Sequence, residues 1–286
     1  MVVIDCQRVD KQYGFVKALS DMSFTIDEEL IGRNGAGKTT LLKILAGFIA
    51  PTDGRVQVLA KEPFNNLFVS AHSILVDDQM QIPDQFSLQD TIEEAARFYQ
   101  NFDVRLAFRL LDYFSLPRKA KHKNLSKGQK STFNAIFGMF DEPTTGMDAA
   151  VRKDFYRALL KDYLSHPRTI IISSHYLNEI EDLLEDVLLM NHGEKELHES
   201  IDTLKEYAIG VTGHVSTIND FVEKNNVIHR RDVNYDEMYV VVKRTSDALE
   251  FAEKFNLTVE AVTPSDLCLY LTEKSKEGID DVFEER

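Results

Sequence analysis

The segment Gly32-Arg33-Asn34-Gly35-Ala36-Gly37-Lys38-Thr39 has the spacing G-x-x-x-x-G-K-[ST]. Glycines at those positions let backbone N–H groups turn inward around phosphate oxygens. A helix starting directly behind points its positive end at the same anion. Lys38 is then placed for the β- and γ-phosphates of a nucleotide, and the Thr39 hydroxyl, with Thr40 beside it, for Mg²⁺. A glycine-rich surface turn is the alternative. The helical spacing of Leu41, Leu42, Leu45 and Phe48 behind the glycines favours the phosphate loop.

A second constellation is acidic. Asp141-Glu142 follows the run Phe137-Gly138-Met139-Phe140. A strand ending in Asp can hold Mg²⁺ through the carboxylate, and the next Glu can orient and deprotonate an attacking water. An exposed turn gives the same two letters. The run Pro143-Thr144-Thr145-Gly146-Met147-Asp148 behind the pair argues against that reading.

Between these motifs lies Leu125-Ser126-Lys127-Gly128-Gln129. With it, the sequence resembles the nucleotide-binding subunits of ABC transporters. The segment is similar to the family's LSGGQ signature, with Lys127 as a departure. The resemblance runs over residues 1–204 and fades behind them into a broad likeness to C-terminal extensions of some bacterial exporter ATPases. It implies ATP and Mg²⁺ as cofactors. Tyr13, in Lys11-Gln12-Tyr13-Gly14, matches the aromatic that stacks on adenine; the alternative is a strand tyrosine packed on its sheet. Asn34, Gly35, Ala36, Gly37, Lys38, Thr39 and Thr40 match the phosphate-binding positions, and Asp141 the metal ligand. Glu142 matches the catalytic base. His175, in Ser173-Ser174-His175 and 34 residues after Asp141, matches a switch histidine on the γ-phosphate. Gln79 is chosen as the glutamine that touches Mg²⁺ or its water and senses the membrane partner. Asp77-Asp78 departs from the family pattern there, and Gln81 is a rival. Asp148 matches a loop that crosses a dimer interface.

The resemblance also implies a sandwich of two chains. Ser126, Gly128 and Gln129 of one chain close over the nucleotide of the other, so neither chain alone has a complete site. The implied partners are a second ATP-binding subunit, identical or different, and a membrane-spanning permease. The implied location is the cytoplasmic face of the cell membrane, reached through that permease. Lipids, drugs and antimicrobial peptides are the cargo classes that the likeness to exporter ATPases brings. The alternatives are a soluble ABC ATPase acting on ribosomes or DNA-repair machinery, and a non-catalytic regulatory subunit. The interval 83–123 leaves no room for the long coiled coil of repair members, and the chain has one cassette, not two.

The elements that must position these residues can be read coarsely. Residues 1–26 alternate as strands of an antiparallel sheet, 39–48 read as a helix, and 56–59 as a strand. The stretch 83–130 is mainly helical, with Ser87 and Asp90 spaced as a helix cap and Pro117 ending a second run over 103–114. Strands over 169–173 and 187–190 alternate with helices over 154–164 and 176–184. Behind residue 207, strands over 238–243 and 257–262 and helices over 246–255 and 265–271 give a small α+β appendage. The fold class expected is α/β: a P-loop NTPase core with an antiparallel β subdomain and a helical signature subdomain over about 80–135. Residues 1–206 form the ATPase domain and 207–286 the accessory region.

Composition agrees with a folded globular chain, 43% apolar and 28% charged. A formal charge of −14 disfavours nucleic acid and anionic lipid, so an ATP site must be built locally from Lys38 and backbone N–H groups. Cys6 and Cys268 form neither a disulfide framework nor a metal motif. No apolar stretch reaches ~18 residues, and the N-terminus reads as a strand and not a secretion signal. Two intervals are short for their contents. Only Leu30-Ile31 separates Asp27-Glu28-Glu29 from Gly32, where a buried strand of about five residues is expected. The interval from Gln129 to Asp141 must hold a helix, a connection and a strand. Further residues at both points, or a shortened and inactive chain, are the two readings; a measured intact mass equal to the 32.7 kDa of the printed sequence would refute the first.

Overall fold

A computed structural model describes residues 3–26, 36–76, 82–99, 102–136, 139–141, 143–144, 146–174 and 177–272. Asn34, Gly35, Gln79, Gln81, Glu142 and His175 lie outside the described residues, as does the short interval before Gly32. The chain divides into two units, Met1–His198 and Glu199–Arg286.

The first unit opens with β1 (Ile4–Tyr13) and β2 (Val16–Ile26), which pair antiparallel. Alternation puts Ile4 and Cys6 inside from one strand and Met22, Phe24 and Ile26 from the other, and irregularities in the ladder between Cys6 and Lys11 bring Val9 and Leu19 inside as well. α1 (Lys38–Leu45) follows, then β3 (Asp53–Val58) on the far side of β1. The apolar face of α1, Leu41, Leu42, Ile44 and Leu45, joins the core of this sheet together with Ile171, Leu188 and Met190. That shared core fixes the first turn of α1, and with it Lys38.

α2 (Leu67–His72) and β4 (Leu75–Val76) lead to the helical part. α3 (Leu88–Phe98) starts at a complete capping box: the Asp90 amide donates to Ser87 Oγ, and the Ser87 amide to the Asp90 carboxylate. α4 (Val104–Tyr113) is capped by Asp103 and ends three residues before Leu116-Pro117, where the expected run reached Phe114. α5 (Lys127–Asn134), which starts two residues before Gln129, and β5 (Met139–Asp141) span the short interval from Gln129 to Asp141. Both fit because both are short, a helix of eight residues and a strand of three.

α6 (Ala149–Ser165), β6 (Ile172–Ser173), α7 (Leu177–Ile180), β7 (Asp186–Asn191) and β8 (Glu194–Ser200) complete the unit. The strand expected over 169–173 forms ladder bonds only at its last two described positions, although Ile170 and Ile171 are buried. β4, β5 and β6 form a parallel sheet in that order, and β7 pairs with β8.

The second unit carries α8 (Ile201–Lys205), β9 (Ala208–His214), α9 (Val215–Val222), β10 (Val227–Asp232), β11 (Glu237–Lys243), α10 (Ser246–Lys254), β12 (Thr258–Ala261) and α11 (Pro264–Thr272). The sheet order is β10-β11-β9-β12, antiparallel throughout. From β9 to β12 the order of elements is βαββαβ, the ferredoxin-like arrangement. α9 and α10 cover one face through Ile218, Phe221, Ala248 and Ala252, packed on Ile209, Val211, Val240 and Val242. The sequence reading missed β9, α9 and β10. Gly210 and Gly213 weaken β9 as a strand, and β-branched Val215, Thr217 and Ile218 weaken α9 as a helix.

Candidate functional site: a phosphate-binding helix beside a parallel sheet

Gly37 caps α1 with φ +96, a left-handed conformation that suits glycine. Space demands glycine as well: a β-carbon there would lie 2.4 Å from the Ala18 carbonyl oxygen. Ala36 is tied down in turn. Its carbonyl accepts from the Gly193 amide at 3.1 Å, and the Gly193 carbonyl accepts from the Ser20 amide at 2.8 Å. The end of the phosphate loop is thus held against β2 and the β7–β8 turn. Gly193 had no counterpart in the sequence reading, because its partner is distant in sequence. Lys38 is 5% exposed. A lysine that buried needs compensating partners, and it stands at the helix end where an anion is favoured. Thr39 and Thr40 share its turn.

The parallel sheet brings the acidic motif alongside. Phe140 pairs with Ile172 and Asp141 with Ser173, so β5 and β6 end level. α1 packs against β5. Ligands in parallel sheets bind off the carboxyl ends of the strands. Here those ends are Asp141 and Ser173, next to Glu142 and two residues before His175 in the chain.

The signature segment begins α5. Ser126 is its cap: the Gln129 amide donates to Ser126 Oγ at 3.2 Å, and the Ser126 amide donates to Gln129 Oε1 at 3.0 Å. The box uses Ser126 Oγ as an acceptor. Asp148 caps α6, accepting from Ala150 and Val151 amides at 3.0 Å. Tyr13 is 48% exposed at the end of β1, with Lys11 Nζ 5.2 Å above its ring. A tyrosine packed on its sheet would be more covered. Among the described residues, then, Lys38, Thr39 and Thr40 lie on the first turn of α1, and Asp141 ends β5, the strand that α1 contacts. Tyr13 stands apart on a hairpin, and Ser126, Gly128, Gln129 and Asp148 lie at the starts of α5 and α6.

A helix behind the phosphate-loop motif, a parallel sheet in contact with it and a signature helix are the parts of a P-loop NTPase fold. The sequence profile of the ABC transporter family matches residues 19–145. The chain is 26% identical to the ABC transporter ATP-binding protein YtrB of Bacillus subtilis, over 79% of this chain and 82% of that one. It is 28% identical to the Nod factor export ATP-binding protein I of Rhizobium leguminosarum bv. viciae, over 68% of each. A solved ATP-binding subunit of an ABC transporter superposes with a TM-score of 0.62 at 19% identity, covering 71% of this chain and 92% of that one. A dimeric bacterial ABC transporter cassette gives 0.60 at 20% identity, covering 69% and 98%. Residues 19–145 match the ABC transporter family and the relatives are ABC transporter ATP-binding proteins, so the chain carries an ABC transporter nucleotide-binding domain, an ATP-binding ATPase coupled to transport. No helix among the described residues is long and apolar enough to cross a membrane.

Proposed function

We propose that this chain is one half of an ATP-closed dimer that drives export through a separate permease on the cytoplasmic face of the membrane. The observation that carries the reading is the level ending of β5 and β6 at Asp141 and Ser173, with α1 packed against β5. The reading is supported by the contact of α1, which the phosphate-loop motif leads into, with β5, and by the chain order, in which Glu142 directly follows β5 and His175 lies two residues past the end of β6.

In this reading the amides of Asn34, Gly35, Ala36 and Gly37, with Lys38, hold the β- and γ-phosphates. Tyr13 stacks on adenine. The donors offered to a metal are the Thr39 hydroxyl, Asp141 and Gln79. All are hard oxygen ligands, which fits Mg²⁺ and not a soft metal. Bound there, the ion neutralises phosphate charge. Glu142 orients the attacking water and takes its proton, and His175 contacts the γ-phosphate. The start of α5 serves the nucleotide of the second chain: Ser126 donates its hydroxyl proton, and the Gly128 and Gln129 region presents the helix end to phosphate. Asp148 sits on the crossing loop. Two working sites favour a homodimer. Export follows the Nod factor export relatives, with lipid, drug or antimicrobial peptide as cargo class.

Mg-ATP hydrolysis by the purified chain, followed against its concentration, tests the proposal. Specific activity that rises with concentration is expected, since two chains complete each site. Activity independent of concentration from well below to well above the dimerisation range overturns the shared site.

A further inference from the structure

We infer that Arg152 and Tyr156, one turn apart on α6, are positioning residues that brace the two chain segments carrying Glu142 and His175. The inference rests on the roles proposed above for those two residues.

The Arg152 guanidinium makes a fork on Glu179, with Nε 2.7 Å from Oε2 and Nη2 2.8 Å from Oε1. Its third nitrogen, Nη1, donates to the Met147 carbonyl oxygen at 2.8 Å. The pair is largely sheltered, with side chains 18% and 27% exposed. The Tyr156 side chain, 3% exposed, reaches the same two segments. Its hydroxyl lies 3.3 Å from the Thr144 hydroxyl and also hydrogen-bonds the Ser174 side chain. Thr144 and Ser174 are each 3% exposed.

One face of α6 therefore reaches four points. Thr144 and Met147 lie on the segment behind β5, and Ser174 and Glu179 on the segment behind β6. In sequence, Thr144 is two residues past Glu142, Ser174 directly precedes His175, and Glu179 is four past it. The sheet ladder at Asp141 and Ser173 holds the upstream ends of both segments. Arg152 and Tyr156 hold the downstream ends. An exposed ion pair contributes little. A sheltered fork with a third bond to a carbonyl fixes direction as well as distance, which a lysine cannot do. Misplacing a reacting group by about 1 Å can cost about 10²-fold in rate. Nucleotide binding is made mainly by α1 and the phosphate loop, so the brace should act on kcat and not on affinity.

The test compares Arg152→Lys, which keeps charge and loses the fork, with Tyr156→Phe, which loses one hydroxyl. ATPase kinetics, binding of a fluorescent ATP analogue and thermal melting are read on each full chain. We expect kcat to fall about tenfold or more in Arg152→Lys and severalfold in Tyr156→Phe, with analogue affinity within about twofold. Arg152→Lys combined with Glu179→Gln should cost no more than either alone. Normal kcat in a variant that binds ATP overturns the inference, as does a loss of affinity equal to the loss in kcat. If Arg152→Lys does not fold, Tyr156→Phe decides alone by the same criteria. Glu142→Gln is assayed in parallel. If it turns over normally, the role of Glu142 falls; if it is inactive while the α6 variants are not, only the brace falls.

Discussion

Gly128 touches Gly146 so closely that a β-carbon on Gly128 would lie 2.6 Å from the Gly146 carbonyl oxygen. Gly146 itself has φ +84 and lies under the aliphatic stem of Lys127. The first turn of α5 and the turn leading into Asp148 are therefore packed as one piece within the chain. Gly128→Ala gains up to about 1 kcal/mol of helix propensity but forces backbone apart, which costs about 1–3 kcal/mol. We predict a lower urea midpoint and slower turnover. A midpoint equal to or above wild type would show that this contact yields easily.

Glu142→Gln separates binding from chemistry. Losing a general base costs about 10²–10⁴ in rate, or about 3–5 kcal/mol of barrier. The variant should bind ATP with unchanged affinity and trap the closed dimer, seen by size-exclusion chromatography with ATP. Wild-type turnover would remove Glu142 from the role.

Gly37→Ala tests the phosphate loop without touching a charge. Its φ of +96 and a β-carbon 2.4 Å from a backbone oxygen strain any side chain there. ATP affinity should fall at least about tenfold by calorimetry, since a strain of about 1.4 kcal/mol or more on the bound loop is enough. Unchanged affinity would mean that the loop relaxes freely.

Two serines make the same kind of cap and should behave differently. Ser87→Ala and Ser126→Ala each remove a capping box and should each cost about 0.5–2 kcal/mol in denaturant unfolding. Only Ser126→Ala should also reduce turnover, because only Ser126 faces the nucleotide of a second chain in the proposed dimer. Equal losses of activity would reduce the signature serine to a helix cap.

His122 gives the fold an acid sensitivity. Burial holds its imidazole below the ordinary histidine value, Lys130 adds to this, and the 3.0 Å hydrogen bond with Asn134 Oδ1 opposes it. Below about pH 6.5 the unfolded chain takes up a proton that the folded chain refuses. Stability is therefore fully present above that pH and falls as pH drops through the window down to the folded value. Urea midpoints at pH 8 and pH 5.5 should differ more for wild type than for His122→Gln. Equal differences would exclude His122 as the source.

The contiguous motifs were legible from residue types alone, because glycines, a lysine and a threonine at fixed spacing specify a phosphate cradle whatever surrounds them. The capping box at Ser87 and Asp90 was legible for the same reason, since its donors and acceptors lie within one turn. What only the tertiary structure decided involves residues remote in sequence. Asp141 stands level with Ser173 through strand pairing, Gly193 reaches back to Ala36, and Arg152 finds both Glu179 and Met147. β9 shows the reason most plainly. Its glycines argue against a strand locally, yet β11 and β12 bond it from both sides, and Gly210 is needed because the Tyr239 ring crosses directly over it. Local chemistry is carried by neighbours in sequence, whereas register and close packing are set by which distant surfaces exclude water together.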